Sequence, residues 1–121
     1  MPDTITRDTL DEAAIDTAHL ERATFADRAF RDEVLGLFIR EARSLLSRLA
    51  SAPTDAEWKI AAHTLKGMAR GVGAGPLAAA AAEVEPLVNG ERLARRSDEL
   101  ARLQSLVDRA SATAEGLMRQ A

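Results

Sequence analysis

The chain has 121 residues, 46% of them hydrophobic but only 3% aromatic, and 16 Lys+Arg against 19 Asp+Glu give a formal net charge of −3. That is one domain, large enough to bury a core, and its interspersed charges exclude a general nucleic-acid binder, which needs clustered Lys and Arg. The absence of cysteine excludes disulfides, thiolate chemistry and Cys-based zinc sites, and no run approaches the ~20 apolar residues of a membrane span.

The first eight residues, Met1 to Asp8, lack the apolar core of a signal peptide, so the expectation is a free-standing cytoplasmic protein. Residues 1–14 are polar and expected to be a mobile terminal segment, with the folded domain over 15–121. Alanine and leucine dominate the remainder, and β-branched and aromatic residues are too sparse and too poorly alternated for a sheet. The expected class is all-α.

Asp16 caps a short helix predicted to run through about Phe25. Asp27 then caps a long one, predicted to reach about Ser51. Val34, Leu35, Phe38, Ile39, Ala42, Leu45, Leu46 and Leu49 share one face of it, and Arg40, Arg43, Ser44 and Ser47 share the other. Leu37 falls on the polar side, either as an ordinary exposed leucine or as a contact for a docking partner.

Pro53-Thr54-Asp55-Ala56-Glu57 restarts the helix, with Thr54 and Glu57 at capping-box spacing. Trp58, Ala61, Leu65, Met68 and Val72 form its predicted buried stripe, and Gly71 to Pro76 ends it. The glycines there lack the Gly-Lys-Ser/Thr ending and preceding strand of a phosphate loop. Leu77, Ala80, Ala81, Val84, Leu87 and Val88 predict a third core stripe, and Pro86 stops that helix near Glu85, whose side chain can reach a neighbouring helix. After Asn89-Gly90, a last helix carries Leu93, Leu100, Leu103, Val107, Ala110, Ala114 and Leu117. Two long and two shorter helices joined by brief turns predict an antiparallel four-helix bundle, with the short N-terminal helix capping one end.

The motif that carries chemistry is His63-Thr64-Leu65-Lys66-Gly67. His63 lies off the buried stripe, and Lys59, Lys66 and Arg70 share its helical line, so it stands in a positive, solvated row. An imidazole is a nucleophile that can be neutral near pH 7, a cation lies one turn on, and a glycine leaves the face open. This is equipment for carrying a phosphoryl group. Spacing alone equally allows a surface histidine on an ordinary wet face.

Ala62-His63-Thr64-Leu65-Lys66-Gly67, then Val72-Gly73-Ala74, Leu77 and Glu85, resembles the signature of the histidine-containing phosphotransfer (HPt) domain family. Upstream, Leu20-Glu21, Glu33-Val34-Leu35 and Leu37-Phe38 resemble that family's first long helix, so the likeness covers roughly residues 15–117. The resemblance implies that His63 accepts a phosphoryl group from a receiver-domain aspartate and passes it to another. It gives Lys66 the role of stabilising phosphoryl charge, Gly67 that of steric access, and Glu85 that of orienting the imidazole. Lys59, Ile60, Arg70 and Leu37 are the expected partner contacts. Met68, where a small residue is frequent, and Gly71 depart from the commonest family pattern.

The implied protein is a monomeric carrier without ATP-dependent kinase activity or a cofactor of its own, and the Mg²⁺ belongs to the partner receiver domain. Its partners would be receiver domains of response regulators and hybrid histidine kinases, with neither nucleic acid nor membrane involved. Two other classes stay open. One is a phosphorylation-silent adaptor that docks a receiver or histidine kinase; the other is a metal-binding bundle, disfavoured because His19 and His63 are the only histidines.

Overall fold

The computed structural model describes residues 13–120, and the expectation for the first 12 residues lies outside them. Among the described residues there are five helices and no strands: α1 (Thr17–Ala23), α2 (Arg28–Ser51), α3 (Asp55–Val72), α4 (Gly75–Val84) and α5 (Asn89–Arg119). The described part is all-helical, and none of its helices is long and apolar enough to cross a membrane.

The predicted caps start the first three helices. Asp16 accepts the His19 N–H at 3.1 Å, Asp27 that of Phe30 at 3.0 Å and Thr54 that of Glu57 at 3.1 Å, each filling one donor that a helix start leaves open. The Thr54–Glu57 pair departs from a full capping box, because the Glu57 carboxylate meets the threonine hydroxyl at 3.1 Å instead of a backbone N–H.

Helix α1 stops two residues short of Phe25. The Thr24 hydroxyl donates to the Leu20 carbonyl at 2.8 Å, and Phe25 and Ala26 both take left-handed φ values of 57° and 55°, turning the chain into α2. The end of α3 is fixed by Gly73, at φ 83°; a Cβ there would lie 2.9 Å from the Asp16 carbonyl oxygen. Only glycine suits both the conformation and the approach. That approach docks α1, since the Asp16 N–H donates to the Gly73 carbonyl at 2.8 Å and Ile15 and Leu20 are fully buried.

Helix α2 packs against α3 and α5, α4 packs against the same two, and α1 lies on α3. Arg31, in the first turn of α2, donates to the Leu117 carbonyl near the end of α5 at 3.0 Å, and Arg92 near the start of α5 donates to the Ala52 carbonyl just past α2 at 3.2 Å. Helices α2 and α5 therefore run in opposite directions. The enclosed core takes Leu35, Phe38, Ala42, Leu45 and Leu49 from α2, Trp58, Ala61 and Leu65 from α3, Leu77, Ala80, Ala81 and Val84 from α4, and Leu103, Val107 and Ala114 from α5.

Three predicted core positions are corrected. Met68 is only partly buried, and Ala62 and Ala69 are buried in α3. Val88 is exposed, because the chain that Pro86 diverts from α4 is extended at Val88, where α5 is about to start. Leu93 is also exposed: its neighbour Arg92 takes the inward place, and one residue along is about 100° around a helix. Leu87 is buried as expected, Leu100 and Leu117 partly so.

Candidate functional site

Ala62, with no exposed surface, fixes the roll of α3 about its axis. One residue on, the His63 side chain is 68% exposed, and one turn beyond it Lys66 leans towards α4. The group that meets both is Glu85, the residue that closes α4. Its Oε1 accepts from Lys66 Nζ at 2.7 Å, and its Oε2 lies 3.1 Å from His63 Nδ1.

The chemistry of these atoms fixes the proton arrangement. The Lys66 hydrogen bond holds the Glu85 carboxyl below the usual range; partial burial opposes this, and the His63 hydrogen bond adds to the lowering. An ionised carboxylate only accepts, so Nδ1 must be the donor. In a neutral ring Nε2 then carries the free lone pair. It belongs to the exposed side chain, whereas Glu85 is nearly covered.

The expected row of solvated cations is corrected. Lys59 and Arg70 are exposed, but Lys66 is mostly buried and committed to Glu85, because Ala62 turns that side of α3 towards α4. The opposite side of the histidine carries Ile60, Thr64, Gly67 and Gly71, all exposed. A Cβ on Gly67 would meet nothing within 4 Å, so no neighbour inside the protein requires the glycine. The imidazole is thus walled on its α4 side and open on the other.

The expected contact residues are not gathered into one recess. Ile60 borders a small hollow with Pro53 and Glu57, whereas Leu37 borders a groove of about 250 Å³ with Val34, Met68 and Val72 between α2 and α3. Arg70 lines a wider groove of about 850 Å³ with His19 and Pro76. The two histidines differ in kind. His19 Nε2 lies 3.2 Å from the Gly71 carbonyl and ties α1 to the last turn of α3, leaving His63 as the outward-facing imidazole.

A family model described as Hpt domain matches residues 33–113, which include His63, Lys66, Gly67 and Glu85. This chain belongs to the Hpt domain family. Hpt domains are phosphocarrier modules, not kinases, and interact with receiver domains in phosphorelays. No curated protein and no solved structure matches the chain.

Sequence reasoning reached His63, Lys66, Gly67 and Glu85 in this Hpt domain but missed what supports them. The Trp58 indole N–H donates at 2.7 Å to the carbonyl of Val84, the residue before Glu85. Its signal was a tryptophan in a buried stripe, since a buried indole needs an acceptor. Among the described residues, no group of three His, Asp or Glu side chains is placed to hold a metal ion.

Proposed function

We propose that the protein is a phosphorelay intermediate whose His63 carries the phosphoryl group. The observation that carries this reading is an exposed imidazole with Nδ1 engaged by Glu85 and Nε2 left free. The Nε2 lone pair attacks the phosphorus of a receiver's aspartyl phosphate. An N–P bond forms as the O–P bond breaks, and the aspartate leaves as carboxylate. The ring becomes cationic while retaining its Nδ1–H, and Glu85, already an acceptor at that proton, stabilises it. A second receiver's aspartate reverses the step: its carboxylate takes the phosphoryl group and the electron pair returns to Nε2.

Lys66 pairs with the ionised Glu85 and adds positive charge beside the site as two anionic groups meet. Gly67 leaves room for the receiver, and the exposed Ile60, Leu37, Lys59 and Arg70 are its contacts on the surrounding surface. The helices are read as an antiparallel four-helix bundle domain over residues 15–121, capped by α1. The protein acts as a cytoplasmic monomer on receiver domains of response regulators and hybrid histidine kinases. It has no kinase activity or cofactor of its own, and Mg²⁺ is supplied by the receiver.

The test is incubation with a panel of phosphorylated receiver domains. Label should pass to the protein as an acid-labile, base-stable adduct, and His63→Gln should accept none. Label on His19, or undiminished labelling of His63→Gln, would refute the assignment. No transfer from any receiver, with receiver binding retained by His63→Gln, would favour the adaptor.

A further inference from the structure

Glu85 sits where α4 gives out. Pro86 prevents the helix from continuing, so the Val84 carbonyl cannot find its donor four residues on, as a carbonyl inside a helix would. Two other donors reach it: the Leu87 N–H at 3.1 Å and the Trp58 indole N–H at 2.7 Å. The same peptide group supplies the Glu85 N–H, which donates to the Ala81 carbonyl at 3.1 Å. The peptide that carries the Glu85 side chain is therefore clamped at both ends, and one clamp comes from the helix that carries His63.

Trp58 is itself held. It has no exposed surface, and the Arg92 guanidinium lies 6.0 Å from its ring centroid. Arg92 is fixed in turn by Asp55 at 2.6 Å and by the Ala52 carbonyl at 3.2 Å, while the Asn89 N–H donates to both Asp55 oxygens at 2.9 and 3.0 Å. A continuous run of contacts joins the start of α5 to the imidazole through Arg92, Trp58, the 84–85 peptide and Glu85. The ring has little room to tilt, so its N–H is a fixed reference for the end of α4.

We infer that Trp58 is a positioning residue for the phosphoryl-accepting imidazole, its indole N–H holding the peptide from which Glu85 reaches His63 Nδ1. The inference rests on the proposed function for its effect on transfer, but its structural effect can be read without transfer. Moving the 84–85 peptide moves the Glu85 carboxylate, and small misplacements of a reacting group are costly in rate. Trp58 touches neither the imidazole nor the phosphoryl group. It acts through Glu85.

Trp58 is the chain's single tryptophan, so replacing tryptophan globally with benzothienylalanine alters this position alone. Sulfur replaces the indole N–H while shape and volume are kept. Trp58→Phe serves as a second variant, and Leu35→Val as a core control at the opposite end of α2 from Ala52. Three quantities are read on each: the unfolding midpoint, the His63 tautomer from long-range ¹H–¹⁵N correlation, and single-turnover transfer from a phosphorylated receiver.

The expected result is a folded benzothienylalanine protein in which the Nε2–H tautomer gains population and transfer slows roughly tenfold. Leu35→Val should lower the midpoint and leave the tautomer alone. An unchanged tautomer in the benzothienylalanine protein overturns the inference, whatever the transfer rate, and so does a changed tautomer with full transfer rate. If the parent protein accepts label from no receiver, the proposed function fails. The tautomer arm then still decides whether Trp58 positions His63.

Discussion

Lys66 Nζ lies 2.7 Å from Glu85 Oε1, and both side chains are more than four-fifths covered. The lysine therefore has two consequences that a solvated side chain would not. It places positive charge beside the imidazole, and it holds below its usual range the carboxyl that meets His63 Nδ1.

Lys66→Ala should slow phosphoryl transfer and also destabilise the fold more than Lys59→Ala, since Lys59 is exposed whereas loss of Lys66 leaves Glu85 without its strongest partner. Receiver-transfer rates and unfolding midpoints of the two variants give the comparison. Equal midpoints would mean that the Lys66–Glu85 pair contributes nothing to the fold.

Acid should weaken the fold through identifiable carboxylates. Glu85 is held low by Lys66, Asp55 by the Asn89 N–H and then Arg92, and Glu83 by Arg102. A carboxyl whose folded value is depressed contributes stability that is present above its unfolded value and lost as pH falls through its folded value. The window thus opens near the ordinary values of 4.5 for Glu and 3.8 for Asp and extends downward. Denaturant unfolding at a series of pH values should show a plateau above that range and a decline below it. The stability difference between the parent and Glu85→Gln should shrink on acidification; a constant difference would remove Glu85 from the account.

Ser111 is buried in α5, and its hydroxyl is without a hydrogen-bond partner. Ser111→Ala removes that unpaired group and substitutes a better helix former, so a gain of about 1 kcal/mol is expected in denaturant unfolding. Transfer should not change. A loss of stability would mean that the hydroxyl has a partner in solution.

The sequence made legible those features whose cause lies within a few residues. Asp16, Asp27 and Thr54 announced helix starts, glycines and Pro86 announced helix ends, and alternating three and four spacing located most of the core. His63, Lys66 and Gly67 were visible because they stand together in one short helical motif.

What stayed hidden depends on contacts across the fold. Lys66 looked solvated until α4 delivered Glu85 beside it, and Leu93 looked buried until Arg92 took the inward position to meet Asp55. The Trp58 bond to Val84 joins residues 26 apart, a separation that helical periodicity does not address. The Phe25 and Ala26 conformations were equally illegible, since neither residue favours a positive φ.

Gly67 separates access from chemistry. Glycine inside a helix is less favourable than alanine by roughly 0.8–1.0 kcal/mol, so its presence at this position calls for a reason other than helix stability. The protein's interior supplies none: a Cβ at Gly67 would meet nothing within 4 Å, and the backbone there has no left-handed φ. The proposed reason is clearance on the open side of the imidazole, where a receiver would approach. Gly67→Ala should therefore fold normally and gain up to about 1 kcal/mol in stability. Gly67→Gln should fold as well, but its side chain would project into the approach and block transfer from a receiver. Phosphoramidate, a small donor, should label Gly67→Gln as readily as it labels the parent. Receiver transfer, small-donor labelling and unfolding midpoint measured on the same proteins decide the matter; a Gln variant that transfers at the parental rate, or that loses transfer only because it unfolds, defeats the clearance role.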